Sequence, residues 1–492
     1  MPGIVPIMGE DADTGMPVPM YDPNSRKKQV KAIDEAGDKE RVARQKEIDK
    51  RQKYYDGDQA LPLVVEPGEI DENIIVNVYG LTIDKLVKSS RVPTLEVEGG
   101  IEKHTNEDGS ITKRKSPEQE ALDRLLEETD ITELVPNALE SSAIAGHCFY
   151  RIVLPEEGDV TLDNPPHLEL VDPRYVTTFW HMATRKLLWY RLSWTFGDAV
   201  MRQDIVPVSM VADDVLSLAE NTPDVSIDGW VIIEQRKKSR SAVFEIVAVD
   251  TWDYPFPPIV DGKVTRRAHT YYGRPLIKST RPQDAINLVA SNTGRIITIH
   301  GHPKMFLFGD ELGNEVDMRI DGIIDNLDKE ARIEQMEMIS DLSSSINFYR
   351  MLREAFFTEV GATDPTTVKD KIGAATNFVI RMLYDDQIET VTELRRKQGA
   401  MLTEAFRRML YVIGIEADVM DKWPPALPEN REETLKNAET EQGLKITSDQ
   451  TLADEIGRDY ADELERRRIE QQNAIDEQVE VRRRVAEMGL MI

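Results

Sequence analysis

At 492 residues, with 40% hydrophobic and 30% charged side chains, the chain has apolar material for about three domain cores. That is too much for disorder throughout. Its 61 Lys and Arg against 89 Asp and Glu leave a formal charge of −28, which argues against tight, sequence-reading DNA binding, since phosphate neutralisation needs a basic face. No run of about 18 apolar residues occurs, and the N-terminal MPGIVPIMGEDADTG lacks a basic region followed by an apolar core. Neither a membrane-spanning helix nor a secretory signal is therefore expected. A single cysteine, Cys148, precludes an internal disulfide framework and fits a reducing compartment.

Residues 1–23, rich in Gly, Pro and Asp, read as a flexible arm. Residues 24–53 hold eleven basic and six acidic side chains and read as an exposed mixed-charge helix, interrupted or weakened at Gly37. Asp56-Gly57 and Pro67-Gly68 mark turns; apolar spacing then predicts a helix over 76–89, and Pro93 leads into a strand-like TLEVE. The polar stretch 100–116 reads as loop. Ser116 as N-cap and Pro117 in the first turn open a helix over 117–140. From about 143 to 270, the runs CFYRIVL, HLELV, RYVTTFW, KLLWYRLSW, WVIIEQR and AVFEIVAV alternate with Pro, Gly and Asp turns, as in a mixed or antiparallel sheet.

From 280 onward helices dominate. Thr280 to Gln283 has capping-box spacing and opens a helix to about 299, with Asp284 near its positive end. HGHPKMFLFGDELGNEVDMRI breaks that pattern, and its KMFLFG is strand-like. Helix resumes over 330–359, with Ile339, Leu342, Ile346, Tyr349, Phe356 and Val360 at helical spacings. GATDPTTVKDKIGA (361–374) is a break. Residues 375–413 contain no proline and predict one helix of about 58 Å at 1.5 Å per residue, with Gly399 as a bending point. Trp423-Pro424-Pro425 ends the pattern, and the tail from 429 reads as charged and helical. The whole reads as α+β, predominantly helical.

Catalytic motifs are mostly missing. There is no G-x-x-x-x-G-K-S/T loop, and Gly262-Lys263 sits in a turn-like DGK. There is no G-x-S-x-G elbow and no H-E-x-x-H helix. Cys148 follows His147 beside an apolar strand and reads as a buried, inert thiol. His300 and His302 are the only close histidine pair, and no Cys or third His lies nearby to complete a metal site. Asp11-Ala12-Asp13-Thr14-Gly15 is a partial calcium loop without its bidentate Glu. Asp385-Asp386 could serve metal-dependent nuclease chemistry, although 89 acidic residues make chance pairs common. The aromatic run 348–357 and Phe179-Trp180 read as core or subunit packing, because base-stacking platforms need adjacent cations. No enzyme, metal or cofactor is expected.

Five segments stand in a telling order. YYDGDQ (Tyr54–Gln59) follows a basic helix, and ENIIVNVYGLTIDKLVKSSRVPTLEVEG runs from Glu72 to Gly99. GRPLIKSTRPQDAINLVASN (Gly273–Asn292) enters a helix, KIGAATNFVIRMLY (Lys371–Tyr384) opens the long one, and KITSDQTLADEIG (Lys445–Gly457) precedes a Glu/Arg-rich helix. In this order, over roughly residues 40–470, the chain resembles the portal proteins of tailed double-stranded DNA phages, of the siphophage type. These form the head-to-tail connector ring. The pattern departs at Asn377, where the family often has an apolar residue, and the arm 1–23 has no counterpart.

The resemblance implies a ring subunit with wing, stem, clip and crown regions. These would be an arm (1–23), an α+β wing (24–280), a first stem helix (281–300), clip and connection (301–337), a second stem helix (338–360), a tunnel loop (361–374), a long wing helix with its connection (375–428) and a crown-like charged region (429–492). It implies a dodecamer at one capsid vertex, in a virion assembled in the host cytoplasm, as a conduit for packaging and ejecting double-stranded DNA without sequence-specific binding. Partners would be the terminase large subunit, the major capsid and scaffolding proteins and a head-tail adaptor, with no membrane, cofactor or catalytic residue.

Charge agrees with that expectation. Residues 309–341 hold eleven acids against three bases, and an acidic wall leaves DNA phosphates unneutralised, so the duplex slides rather than sticks. The effect is damped beyond about 8 Å at physiological salt, and the same acids also serve plain solubility. Asp310, Glu311, Glu315, Asp317, Asp321 and Asp325 are the candidate channel or clip acids. Thr366, Thr367, Lys369 and Lys371 are candidate transient DNA contacts in the 361–374 loop, with an ordinary solvated turn as the alternative. Competing readings are a metal-dependent nuclease or head-maturation enzyme and a monomeric helical interaction scaffold.

Overall fold

The computed structural model describes residues 28–426, apart from 68–70, 106–110, 220–227, 239–243, 302–304, 309–331, 336–341, 367–376 and a few single or paired positions; of the termini it describes 9–10, 17–18 and scattered positions between 440 and 472. In chain order, β1 (Gly9–Glu10) pairs with β2 (Pro17–Val18). α1 (Lys28–Asp56) runs through Gly37 without a break, because one helical glycine costs only about 1 kcal/mol and tertiary contacts offset it. Nor is α1 merely exposed. Ile48 and Tyr54 are buried, Asp38 pairs with Arg202 at 2.5 Å, and Arg44 donates to the carbonyls of Pro173 and Val176 while lying 4.1 Å over the Tyr272 ring.

α2 (Val78–Ser90) and β3 (Thr94–Val97) follow as expected. Residues 100–116, expected as loop, instead hold the hairpin β4 (Ile101–Thr105) and β5 (Ile111–Lys115). Charged residues between the β-branched ones hide its alternation. The helix expected over 117–140 is two, α3 (Pro117–Glu128) and α4 (Ile131–Ala145). Thr129 ends α3 in an extended conformation, its N–H donating to Leu125 O. Ser116 caps α3 as expected, accepting from Gln119 N–H.

The β-rich region holds β6 (His147–Val153), β7 (His167–Val171), β8 (Val176–Trp180), β9 (Leu187–Phe196) and β10 (Ala199–Pro207), then α5 (Asp213–Leu216), β11 (Trp230–Lys238), β12 (Glu245–Trp252) and β13 (Ile259–Lys263). β10 and β13 lie outside the expected runs. Gly262-Lys263 is therefore strand, opposite Cys148 and His147, and not a turn. After α6 (Arg281–Gly301) come β14 (Met305–Phe308), β15 (Arg332–Gln335), α7 (Ser343–Val360), α8 (Asn377–Val412) and β16 (Val419–Lys422). β15 stands where helix was expected from 330, and β16 where only a connection was.

The chain divides into two compact units. The first comprises Met1–Arg91, Thr132–Ile152 and Leu168–Met401. Its antiparallel sheet has the order β12-β11-β10-β9-β8, and a smaller sheet the order β13-β6-β7. Phe179, Trp189, Val206, Val231, Ile233 and Val249 line one face of the larger sheet and form a core with Val215 of α5. Arg191 and Asp204 form a bidentate buried pair at 2.6 and 3.0 Å on that same face. The second unit comprises Val92–Ile131, Val153–His167 and Leu402–Ile492. There β16 pairs with β3, Gln119 of α3 accepts from Val97 N–H, and Leu122, Leu125, Phe406 and Leu410 are buried. The fold is thus mixed α+β.

The first unit holds a second dense polar cluster. Asp261 on β13 accepts from His147 Nε2 at 2.7 Å, Tyr271 OH at 2.7 Å and Tyr190 OH at 2.5 Å. His147 Nδ1 accepts from Gly273 N–H at 3.4 Å, which leaves the proton on Nε2. A Cβ on Gly273 would lie 2.0 Å from Gly146 O, so two backbones cross here through glycine. Burial alone would raise the Asp261 carboxyl, but His147, Tyr190 and Tyr271 outweigh it and hold it below 3.8. A carboxyl depressed in the folded state stabilises fully above its unfolded value, and the contribution is lost as pH falls through the folded value. Asp261→Asn is expected to cost about 1–3 kcal/mol at neutral pH, with the gap to wild type closing in acid. Urea titrations at about pH 7 and pH 3 check this; an equal gap at both would contradict it.

Candidate functional site

Three of the five segments, YYDGDQ, NIIVNVYG and QDAINLVAS, meet in the first unit. Residues 72–77 belong to no helix or strand, so their backbone groups need other partners. α6 supplies them from one stripe, Gln283, Asn287 and Ser291, all fully buried and spaced at i, i+4 and i+8. Gln283 accepts from Tyr79 N–H at 2.9 Å and donates to Val76 O at 2.6 Å. Asn287 accepts from Val76 N–H at 3.0 Å, and Ser291 Oγ from Ile74 N–H at 2.8 Å. Asn287 also donates to Gln59 Oε1 at 2.6 Å, and Gln59 donates to Asn77 Oδ1 at 3.0 Å. Asn77 caps α2 by accepting from Gly80 N–H. Gln283 therefore does not serve as the return arm of a capping box. Asp284 does sit in the first turn of α6, accepting from Tyr54 OH at 2.6 Å; burial and that bond push the Tyr54 phenol up to about 12.

α6 packs against α7, and the β14–β15 pair lies between them in sequence. Phe356, Phe357 and Val360 bury the last turn of α7, while Ile346, Phe348 and Met351 earlier on it are exposed, as are Leu288 and Ile297 on α6. Gly361 ends α7 in the left-handed region at φ 69°. A Cβ there would meet Thr390 Oγ1 at 2.3 Å.

The next three residues form the root of the expected channel loop. Ala362, Thr363 and Asp364 are all buried. Thr363 N–H donates to Gln387 Oε1 at 3.2 Å, its hydroxyl to Leu383 O at 3.0 Å, and Lys85 Nζ donates to its carbonyl. Arg353 of α7 pairs with Asp364 at 3.1 Å. Asp364 in turn accepts from the N–H and hydroxyl of Thr366 at 2.9 and 2.8 Å. Burial pushes the Lys85 ammonium down, with Asp364 opposing. α8 is tied to the end of α2: Gln387 donates to Ser89 Oγ, and Arg395 donates to the carbonyls of Ser89 and Ser90, satisfying terminal helix acceptors.

Of the sequence-predicted residues, Thr366 is exposed and held by Asp364. Thr367, Lys369 and Lys371 lie outside the described residues, as do Asp310, Glu311, Glu315, Asp317, Asp321, Asp325, His302 and the Asp11–Gly15 segment. Asp385 and Asp386 are exposed on α8, and among the described residues no group of three or more His, Cys, Asp or Glu could hold a metal ion. Cys148 is buried, and burial pushes its thiol up to about 12. Phe179 stacks on Trp189 in the sheet core. Among the described residues no helix is long and apolar enough to cross a membrane. Lys85, Arg353, Asp364, Gln387 and Arg395 were not anticipated. Only Asp364-Pro365-Thr366, with its Asx-turn spacing, carries a local signal.

No protein-family model matches the chain, and no curated protein does. Among solved structures, it is similar to a chain of the neck of a native GTA particle computed with C12 symmetry, at 12% identity and TM-score 0.44, covering 77% of this chain and 89% of that one. It is also similar to a chain of the neck of an empty GTA particle computed with C6 symmetry, at 12% identity and TM-score 0.46, covering 77% and 90%. A third likeness is to a chain in the virion of a native gene transfer agent particle, at 12% identity and TM-score 0.44, covering 77% and 89%.

The stripe on α6 generates a direct expectation. Asn287→Leu leaves Val76 N–H and Gln59 Oε1 buried without partners, at about 1–3 kcal/mol each. Asn287→Asp, which keeps the acceptor and loses the donor, should cost less at acid pH than at neutral pH. Thermal melts of the two variants, with hydrogen exchange over 72–80, read both effects; unchanged protection at Val76 in Asn287→Leu would refute the assignment.

Proposed function

We propose that the chain is a phage portal protein: one subunit of a closed ring, most simply of twelve copies, at a single capsid vertex. Double-stranded DNA passes through the ring during packaging and ejection. The terminase large subunit, the capsid and scaffolding proteins and a head-tail adaptor dock on it. The chain performs no catalysis; a separate ATP-driven motor supplies the work.

One observation carries this reading. Three of the five segments through which the sequence resembles portal proteins meet through their side chains at α6, which β14, β15 and α7 follow in the chain. The order α6, β14, β15, α7, anchored loop root and 36-residue α8 matches stem, clip, stem, tunnel loop and wing helix. In this reading residues 309–331 belong to the clip and 367–376 to the tunnel loop. The acids between 310 and 325 leave phosphates unneutralised, which lets the duplex slide, and Lys369 and Lys371 touch it transiently. The exposed apolar residues of α6 and α7 suit contact between copies, and repetition of one head-to-tail contact closes a ring when its rotation allows.

End-on negative-stain images of the purified chain test the ring. Closed rings with a central hole are expected; a monomer under all conditions overturns the reading. Charge reversal of Lys369 and Lys371 together is expected to alter DNA packaging or retention while rings still form. Normal packaging and retention in that double variant would remove the lysines' role.

A further inference from the structure

A cavity of about 260 Å³ lies within the first unit, between two helices and the end of a strand. α1 lines it with Ile48 and Gln52, and α4 with Asn137, Glu140, Ser141 and Ile144. Those α4 positions are i, i+3, i+4 and i+7, so they share one face of the helix. Leu170 of β7 and the connection to β8, with Asp172, Pro173 and Arg174, complete the lining. Arg44 of α1 donates to the Pro173 carbonyl at 2.6 Å, which fixes that connection against the helix. Asn137 is exposed and Glu140 half-buried, so the cavity is reached from solvent.

The lining divides by chemistry. Ile48, Ile144, Leu170 and Pro173 are apolar, and all but Leu170 are buried. The Arg174 guanidinium is already held by Asp172 at 2.5 Å and Asp49 at 3.4 Å, so an anionic ligand would have to displace carboxylates in place. Glu140 has no such counterpart: among the described residues it forms no ion pair, and its neighbour Tyr55 gives its hydroxyl proton to Asp84 at 2.7 Å. Burial raises the Glu140 carboxyl, Tyr55 opposes, and Asp84 and Asp56 add to the rise. Asn137 and Ser141, beside Glu140 on the same helix face, make no side-chain hydrogen bond with any described residue. Their oxygens and the Glu140 carboxylate supply acceptors within one turn for the three donors of an ammonium group. Apolar lining next to a lone carboxylate suits a methylene stem that ends in a positive charge, whereas a neutral ligand would leave the carboxylate uncompensated.

We infer that this cavity binds a primary alkylammonium group, its stem on Ile48, Ile144, Leu170 and Pro173 and its ammonium on Glu140, Asn137 and Ser141. The group comes either from a free diamine or from a lysine side chain of a partner protein. The site shares no residue with the candidate channel loop or clip, and the inference stands without the ring reading. Ligand-observed NMR titrations of the purified full-length chain at about pH 8, where amines are still charged, test it. Butylamine is expected to bind, and butan-1-ol, with the same stem and no charge, to bind at least about tenfold more weakly. Shortening the amine towards methylamine should weaken binding about fourfold for each methylene removed. Glu140→Gln, which keeps the shape and removes the charge, should weaken butylamine about tenfold or more. Should that variant fail to fold, Asn137→Leu, at an exposed position, loses one acceptor and should weaken it about threefold or more.

Competition of 1,4-diaminobutane and of a short lysine-bearing peptide against bound butylamine separates the two sources: the one that displaces it at lower concentration identifies the origin of the group. No saturable butylamine binding, equal binding of butan-1-ol, or unchanged affinity in the variants overturns the site. Affinity that falls with salt yet ignores stem length would reduce the contact to a surface ion pair, which also overturns it.

Discussion

A backbone segment outside any helix or strand must find partners for its N–H and C=O groups, and the region around α6 is organised by that requirement. The strap at 72–77 would expose or strand those groups if buried beside an ordinary amphipathic helix. A helix offers no free backbone along its side, so the partners have to be side chains. Amides serve best because each carries both donor and acceptor. Gln283 and Asn287, a turn apart, reproduce on a helix surface what an adjacent strand would give, and Ser291 extends the row. Gln59 then joins the row to the end of α1. Because every member is paired, the network specifies one register of strap against helix; a slip of one residue would orphan several buried groups together.

The same logic governs the loop root. α7 ends at a left-handed glycine, and the residues just after it pack against α8. Buried Thr363 and Asp364 are held from three directions, by Lys85 of α2, Arg353 of α7 and Gln387 of α8. Arg395 fastens α8 to the last carbonyls of α2. The loop is thus anchored at its first residues by charge-assisted bonds, which are about twice as strong as neutral ones. Whatever the residues beyond Thr366 do, they do from a fixed starting point.

Much of the secondary structure was legible because apolar period and turn chemistry agreed. α2, α6, α7, α8 and most of the large sheet announced themselves that way. β10 did not, because Arg202, Gln203 and Asp204 interrupt its apolar alternation, and only the fold shows them buried, with Arg202 paired to Asp38 and Asp204 to Arg191. β15 and β16 are four residues each, too short for any periodic signal. The stripe Gln283, Asn287 and Ser291 was hidden for a different reason. At helical spacing, amides and a serine read as a solvent face, and nothing local says that a strap covers them. The loop root shows the same limit: Asp364-Pro365-Thr366 is visible as a turn, but Lys85 lies 278 residues from Thr363.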